Sequence, residues 1–202
     1  MIFFDHEDTE WYLYNTVIPD FHRSCPHGMT FLIFTYCKQI AMKKLMMRCL
    51  GIYLNVLAYI APRKAARIGL NLFCYPFRAS INSKQKAFLD TGVQSTFEHN
   101  DITIQTYRWG VGPKNILLLH GWQSHTYRWK RYIESLSKEE YTIYAFDALG
   151  HGMSGGKFLS VPLYSEVIET FINRTGTIDT IVSHSIGSFS ALYTFYRNPT
   201  LS

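Results

Sequence analysis

Residues 181–188 read Ile181-Val182-Ser183-His184-Ser185-Ile186-Gly187-Ser188. A short β-branched run meets a serine followed by small residues, and Gly187, Ser188, Ser190 and Ala191 occupy the first turns of the helix predicted to come next. Small residues there let a helix pack close against the strand that feeds it. A sharp strand-to-helix turn of this kind exposes the serine oxygen at the top of a sheet. It also leaves the amide of Ile186, at the helix N-terminus, as an anion donor helped by the helix dipole. Ser-x-Gly alone is a common pattern, so its meaning depends on what surrounds it.

Working outward, residues 95–98 and 102–108 are expected as two short strands joined by a turn at His99-Asn100-Asp101. Asn115–Leu119 and Tyr141–Phe146 are strands of a different kind. They are apolar without alternation, as strands buried on both faces of a parallel sheet are. Between them lies a helix with Trp129, Tyr132, Ile133 and Leu136 on one face. Pro162 opens another helix that ends near Gly176; a strand at Asp179–His184 and a helix at Ile186–Arg197 follow. This alternation predicts an α/β fold with a doubly wound, mostly parallel sheet.

In such a sheet ligands bind beyond the carboxyl ends of the strands, and two more strand ends carry unusual residues. In His120-Gly121-Trp122, Gly121 permits a turn and a close backbone approach that a β-carbon would obstruct, which lets the Trp122 amide point into a site. The stretch from Asp147 to Gly156 contains a formal G-x-G-x-x-G at Gly150, Gly152 and Gly155. A dinucleotide loop needs a helix opening on those glycines and an acid at the end of the next strand. Lys157–Val161 is no helix start, and the next strand ends in Ser183-His184-Ser185. A structural glycine loop is the better reading.

Taken in order, "HGW", "DALGHGMSGG" and "SHSIG" resemble three motifs of the α/β-hydrolase family: the oxyanion loop, the D-x-P-G-x-G-x-S loop and the G-x-S-x-G nucleophile elbow. The resemblance covers roughly Phe97 to Pro199. It implies that Ser185 is a nucleophile and that the backbone amides of Trp122 and Ile186 form an oxyanion hole. It makes His120, Gly121, Asp147, Gly150, Gly152, Ser154 and Gly187 supports of the loops. A serine at the elbow implies acyl transfer from a small-molecule carboxylic ester or thioester, with no cofactor and no metal. Two positions depart from the pattern. Leu149 replaces a proline, which is expected to change loop stiffness only. Ser183 replaces a glycine where the elbow packs tightest, with an expected strain of about 1 kcal/mol.

A serine nucleophile needs a positioned base. His184 precedes Ser185 and is expected to point away from the apex, His151 lies two strands away, and His120 is expected to brace its own loop. The family resemblance places the acid and then the histidine after the serine, but the 17 residues following Ser185 contain no His, Asp or Glu. The expectation is a hydrolase truncated on its C-terminal side, with an incomplete sheet and little turnover from these 202 residues alone. The alternative is a non-catalytic, hydrolase-like binding or scaffold protein.

The N-terminal half adds a different chemistry. The net charge is +5, with nine Lys and Arg and one acid between Met42 and Asp90, interleaved with long apolar residues. That pairing fits an anionic membrane surface better than a nucleic-acid groove, so peripheral membrane contact through residues 43–73 is expected and nucleic-acid binding is not. Three segments are expected: an extension at 1–41, a basic amphipathic helical segment at 42–90, and a hydrolase domain at 91–202. The four cysteines show no C-x-x-C spacing and are expected as isolated buried thiols of a cytoplasmic protein, free or membrane-associated.

Overall fold

The structure, a computed structural model, describes residues 27–201. The expectation for residues 1–26 lies outside them. Two helices come first, α1 (His27–Ile60) and α2 (Pro62–Cys74), divided by Pro62, which cannot donate into a continuing helix. The start of α1 corrects the expectation that helix begins near residue 43. No proline stands between Pro26 and Pro62 to interrupt the helix. The described residues divide into two compact units, with the boundary between Arg67 and Ile68. Among the described residues no helix is long and apolar enough to cross a membrane. Cys49 is exposed, contrary to the expectation of buried thiols, whereas Cys74 is buried.

In the second unit, α3 (Ser83–Leu89) carries a capping box in which Asn82 and Gln85 each accept the other's backbone amide. There follow β1 (Val93–His99), β2 (Ile102–Trp109), β3 (Lys114–Leu119), a 3-10 turn (Thr126–Trp129) leading into α4 (Lys130–Ser135), β4 (Tyr141–Phe146), α5 (Val161–Thr175), β5 (Thr180–Ser183) and α6 (Ile186–Arg197). The β1–β2 hairpin turns at Asn100 and Asp101, both with positive φ, the two-residue turn whose twist suits a hairpin and which these residue types tolerate. Ser160 caps α5 through the Leu163 amide, and Gly176 ends it at φ +92°.

The sheet order is β1-β2-β4-β3-β5. β4, β3 and β5 run parallel; β2 pairs antiparallel with β4, and β1 pairs antiparallel with β2 at the edge. Burial on both faces explains the lack of alternation in the central strands. Leu117, Leu119 and Phe146 face a core with Tyr164, Val167, Ile168 and Phe171 of α5. Ile116, Leu118, Ile143 and Ala145 face a second core with Phe88, Leu89, Trp129 and Ile133. Tyr132 is exposed and does not join the packed face of α4 as expected. Leu119 pairs with Phe146 on one side and with Ser183 on the other. The carboxyl ends of the three parallel strands are therefore level, and the loops that follow them emerge side by side.

Candidate active site

Those three strand ends and the start of α6 hold the candidate site residues. Ser185 sits between β5 and α6 at φ +54° and ψ −123°, a conformation that a non-glycine residue adopts only when its surroundings enforce it. The enforcement is visible on both sides. A β-carbon on Gly187 would lie 2.7 Å from the carbonyl oxygen of His120, so only glycine lets α6 start this close to β3. A β-carbon on Gly121 would lie 2.6 Å from His184 Nδ1 and 3.1 Å from the Ser185 β-carbon. Ser185 itself is exposed, and its hydroxyl makes no capping bond to α6. The amides of Trp122 and Ile186 have no acceptor among the described residues, while their neighbours Gln123 and Gly187 donate to His151 and to the His184 carbonyl. An exposed hydroxyl thus stands at a strained turn, with Gly121 packed against it and the uncommitted Ile186 N–H next in the chain.

The strain falls on Ser185 rather than on Ser183. Ser183 is half-buried and lines an open cavity of about 460 Å³ with Arg128, Trp129, Tyr132, Val182 and His184. Ser183 is not among the residues with positive φ, whereas Ser185 is. Leu149 also does more than change loop stiffness. It is fully buried in the core that packs on α5, where its longer side chain adds apolar contact.

Asp147 organises the loops. It is fully buried, and both carboxylate oxygens receive donors only: Oδ1 from the Thr126 amide (2.8 Å) and hydroxyl (2.7 Å), Oδ2 from the Met153 amide (2.9 Å) and the Tyr107 hydroxyl (3.2 Å). Gly152 turns at φ +46° directly against this carboxylate, where any β-carbon would collide with Oδ2. Ser154 donates to the Asp147 carbonyl (2.5 Å) and accepts from the Gln105 amide (2.9 Å). Gly150 donates to Gly155 (2.8 Å), closing the glycine loop as a turn, and α5 starts only at Val161. No helix opens on the glycines, as the sequence reading anticipated.

The histidines of these loops act as fixed braces. The Ala148 amide donates to His120 Nε2 (2.9 Å), so that nitrogen is an acceptor and Nδ1 carries the proton given to the Gly121 carbonyl (2.8 Å). His151 repeats the arrangement: Nε2 accepts from the Gln123 amide (3.0 Å) and Nδ1 donates to the Leu149 carbonyl (2.9 Å). Each ring ties the loop after β3 to the loop after β4. Burial lowers the basicity of both, that of His120 to about 4, so neither gains a proton near neutrality. His184 is exposed beside Arg128, with its basicity lowered by partial burial and then by that cation. His99 lies at the β1–β2 hairpin against Thr170 and Glu166. No described histidine bonds to the Ser185 hydroxyl. Thr126, Tyr107, Gln123 and His151 hold the site together but gave no local signal. Their partners lie 21, 40 and 28 residues away in the chain, and only the register of the sheet unites them.

Comparison with known proteins agrees with this fold. Residues 113–201 match the family model for serine aminopeptidase, S33. Among solved structures, the chain is similar to a protein named as a lipase from Acinetobacter baumannii AYE, at 24% identity and TM-score 0.53 over 62% of this chain and 44% of that one. It is similar to an epoxide hydrolase from Vigna radiata, at 24% identity and TM-score 0.50 over 55% and 37% of the two chains. A thioesterase domain from the curacin biosynthetic pathway matches at 22% identity and TM-score 0.50 over 55% and 43%. The curated proteins contain no match. The chain therefore spans less than half the length of each of these three solved structures. Its fold is that of the α/β hydrolases, and the family-model match lies on residues 113–201 of it.

Proposed function

We propose that this protein is a serine hydrolase that transfers the acyl group of a carboxylic ester or thioester to Ser185. The observation that carries the reading is the pairing of an exposed, strained Ser185 with the two uncommitted amides of Trp122 and Ile186. In the proposed step the Ser185 oxygen attacks the acyl carbonyl and gives up its proton to a base. The carbonyl oxygen, now negative, is held by the two amides, each contributing about 3 kcal/mol to the transition state in comparable sites. The tetrahedral species then collapses, expelling the alcohol or thiol and leaving an ester on Ser185. His120 and His151 are committed to backbone partners through both ring nitrogens, so the base is a group other than these two. A serine at the apex supports acyl transfer over the epoxide chemistry of one structural neighbour.

A fluorophosphonate probe tests the assignment, because it reacts once and needs no turnover. The full-length protein, with the base in place, should be labelled, and Ser185→Ala should abolish labelling. Labelling that persists in the variant, or its absence from the parent, would refute the assignment and favour a non-catalytic binding protein on the same fold. The committed histidines are the observation behind that second reading.

A peripheral role for residues 43–73 belongs to the same proposal. Leu45, Met46, Met47, Ile52, Tyr53, Val56 and Leu70 are exposed, and Arg48, Arg63, Lys64 and Arg67 stand among them. Apolar side chains interleaved with cations fit an anionic lipid surface. Co-sedimentation with phosphatidylserine vesicles should be strong at low salt and weak at high salt. Equal recovery with neutral vesicles would contradict it.

A further inference from the structure

Away from the loops, the edge of the sheet is only partly covered. Val93, Ser95 and Phe97 of β1 pair with Arg108, Thr106 and Ile104 of β2, and Arg108 and Thr106 pair in turn with Tyr144 and Phe146 of β4. Strand alternation puts all of these side chains on one face. It is the face that packs on α5, because Phe97, Ile104 and Phe146 share a core with Phe171. Those three are buried, whereas Val93, Ser95 and Arg108 are exposed. An open cavity of about 310 Å³ lies there, lined by Ser95, Thr106, Arg108 and Tyr144 of the strands and by Phe171 and Thr175 of the last turns of α5.

The chemistry of this lining is one-sided. No acid belongs to it. Thr106 donates to the Ser95 carbonyl (2.9 Å), so the hydroxyl bond between Ser95 Oγ and Thr106 Oγ1 (2.7 Å) takes its proton from Ser95. Both protons are committed and the pair forms a fixed floor. Tyr144 meets Phe171 edge-on at 5.8 Å, which fixes the aromatic wall. The donors that remain are the Arg108 guanidinium and the hydroxyls of Tyr144 and Thr175, and none of them bonds to a described residue. A second guanidinium, that of Arg174, is held 5.7 Å from the Phe97 ring, next to Ser95 on the same face, and it too donates to no described residue. Cations left without a carboxylate beside a cavity raise the local concentration of anions. A forked guanidinium with two hydroxyls suits an oxyanion that has several acceptor oxygens. A phosphate offers three such oxygens in different directions, while a carboxylate offers two in one plane.

We infer that this cavity is a binding site for a small phosphate-bearing molecule, with its phosphate on Arg108, Tyr144 and Thr175 and the rest of it against Phe171. The volume is that of a small-molecule site. The site lies on the α5 face of the sheet and shares no residue with the loops around Ser185, so it stands or falls independently of the acyl-transfer reading.

Isothermal titration of the 202-residue chain tests it, with phenyl phosphate as the probe, inorganic phosphate as the anion alone and benzoate as the carboxylate on the same ring. Phenyl phosphate should bind most tightly and benzoate least. Arg108→Gln should weaken phenyl phosphate about tenfold and Tyr144→Phe about threefold, as a charged and a neutral donor are lost. Arg131→Gln removes an exposed cation from α4, across the sheet, and should change nothing. Amide signals of Ser95, Arg108 and Thr175 should move with phenyl phosphate while those of Trp122 and Ile186 stay. Arg108 is exposed and Tyr144 half-buried, so circular dichroism and melting temperature should match the parent; the two variants are independent, and either carries the test if the other does not fold. Binding that fails in the parent, that is unchanged in the folded variants, or that falls as far in Arg131→Gln overturns the inference. Amide shifts centred on Trp122 and Ile186 would put the anion beside Ser185 and overturn it as well. Benzoate binding as tightly as phenyl phosphate overturns the assignment to phosphate.

Discussion

Asp147 shows what a single residue does here. Both its oxygens face donors, so Asp147→Asn presents an NH2 group to N–H or O–H donors whichever way the amide turns. With the site fully buried, the loss should be about 2–3 kcal/mol, read as a lower denaturant midpoint at unchanged slope. Gly152 depends on the same carboxylate. Gly152→Ala puts a methyl group against Oδ2 at positive φ and should destabilise by at least about 2 kcal/mol, measured the same way. Sequence reading named both residues as loop supports from their place in a family motif. The donors around Asp147 were not legible, because Thr126 and Tyr107 are ordinary residues of a turn and a strand until the sheet register brings them to it. Ser183 and Leu149 illustrate the opposite limit. A departure from a motif has no fixed cost: Ser183 avoids positive φ, and Leu149 joins the core.

At the scale of elements, the central strands were legible because burial on two faces removes alternation, a property of composition alone. The Asn100-Asp101 hairpin was legible because few residues accept positive φ. The start of α1 was not, since a helix without an amphipathic stripe has no periodic signature. The hold of residues 74–78 on the glycine loop, where the Cys74 carbonyl accepts from the Leu159 amide (2.8 Å), was missed for a related reason: its bonds run through backbone carbonyls, which leave no trace in residue type. Arg78 is the exception, a side chain that bridges Gly152 and Gly156 of one loop. Arg78→Ala should cost about 1 kcal/mol, as one bond is partly shielded and the other exposed. Amide exchange should accelerate across residues 150–159 and stay unchanged in β3 and β4. Uniform acceleration, or none, would show that this segment does not hold the loop.

For the molecule as a whole, three level strand ends turn local motifs into one site, and two neutral histidines join the loops that leave them. That design has a pH signature. Burial depresses the folded-state basicity of His120 to about 4 from an ordinary 6.5, and lowers that of His151 as well. A depressed value means that the unfolded chain takes up protons first as pH falls. The stabilisation is therefore complete above about pH 6.5 and is lost progressively down to about pH 4, by about 3 kcal/mol for His120. Denaturation midpoints over that range should fall with acid, and less steeply in His120→Gln, which cannot titrate. The central claim is that the Ser185 oxygen and the amides of Trp122 and Ile186 act on one acyl carbonyl. Its most direct test is the amide proton spectrum of the 15N-labelled protein before and after a fluorophosphonate adduct forms. The account predicts an adduct on Ser185 with the Trp122 and Ile186 amide protons both moving downfield as they take up the phosphoryl oxygen; an adduct on another residue, or one on Ser185 that leaves both amides unmoved, would contradict it.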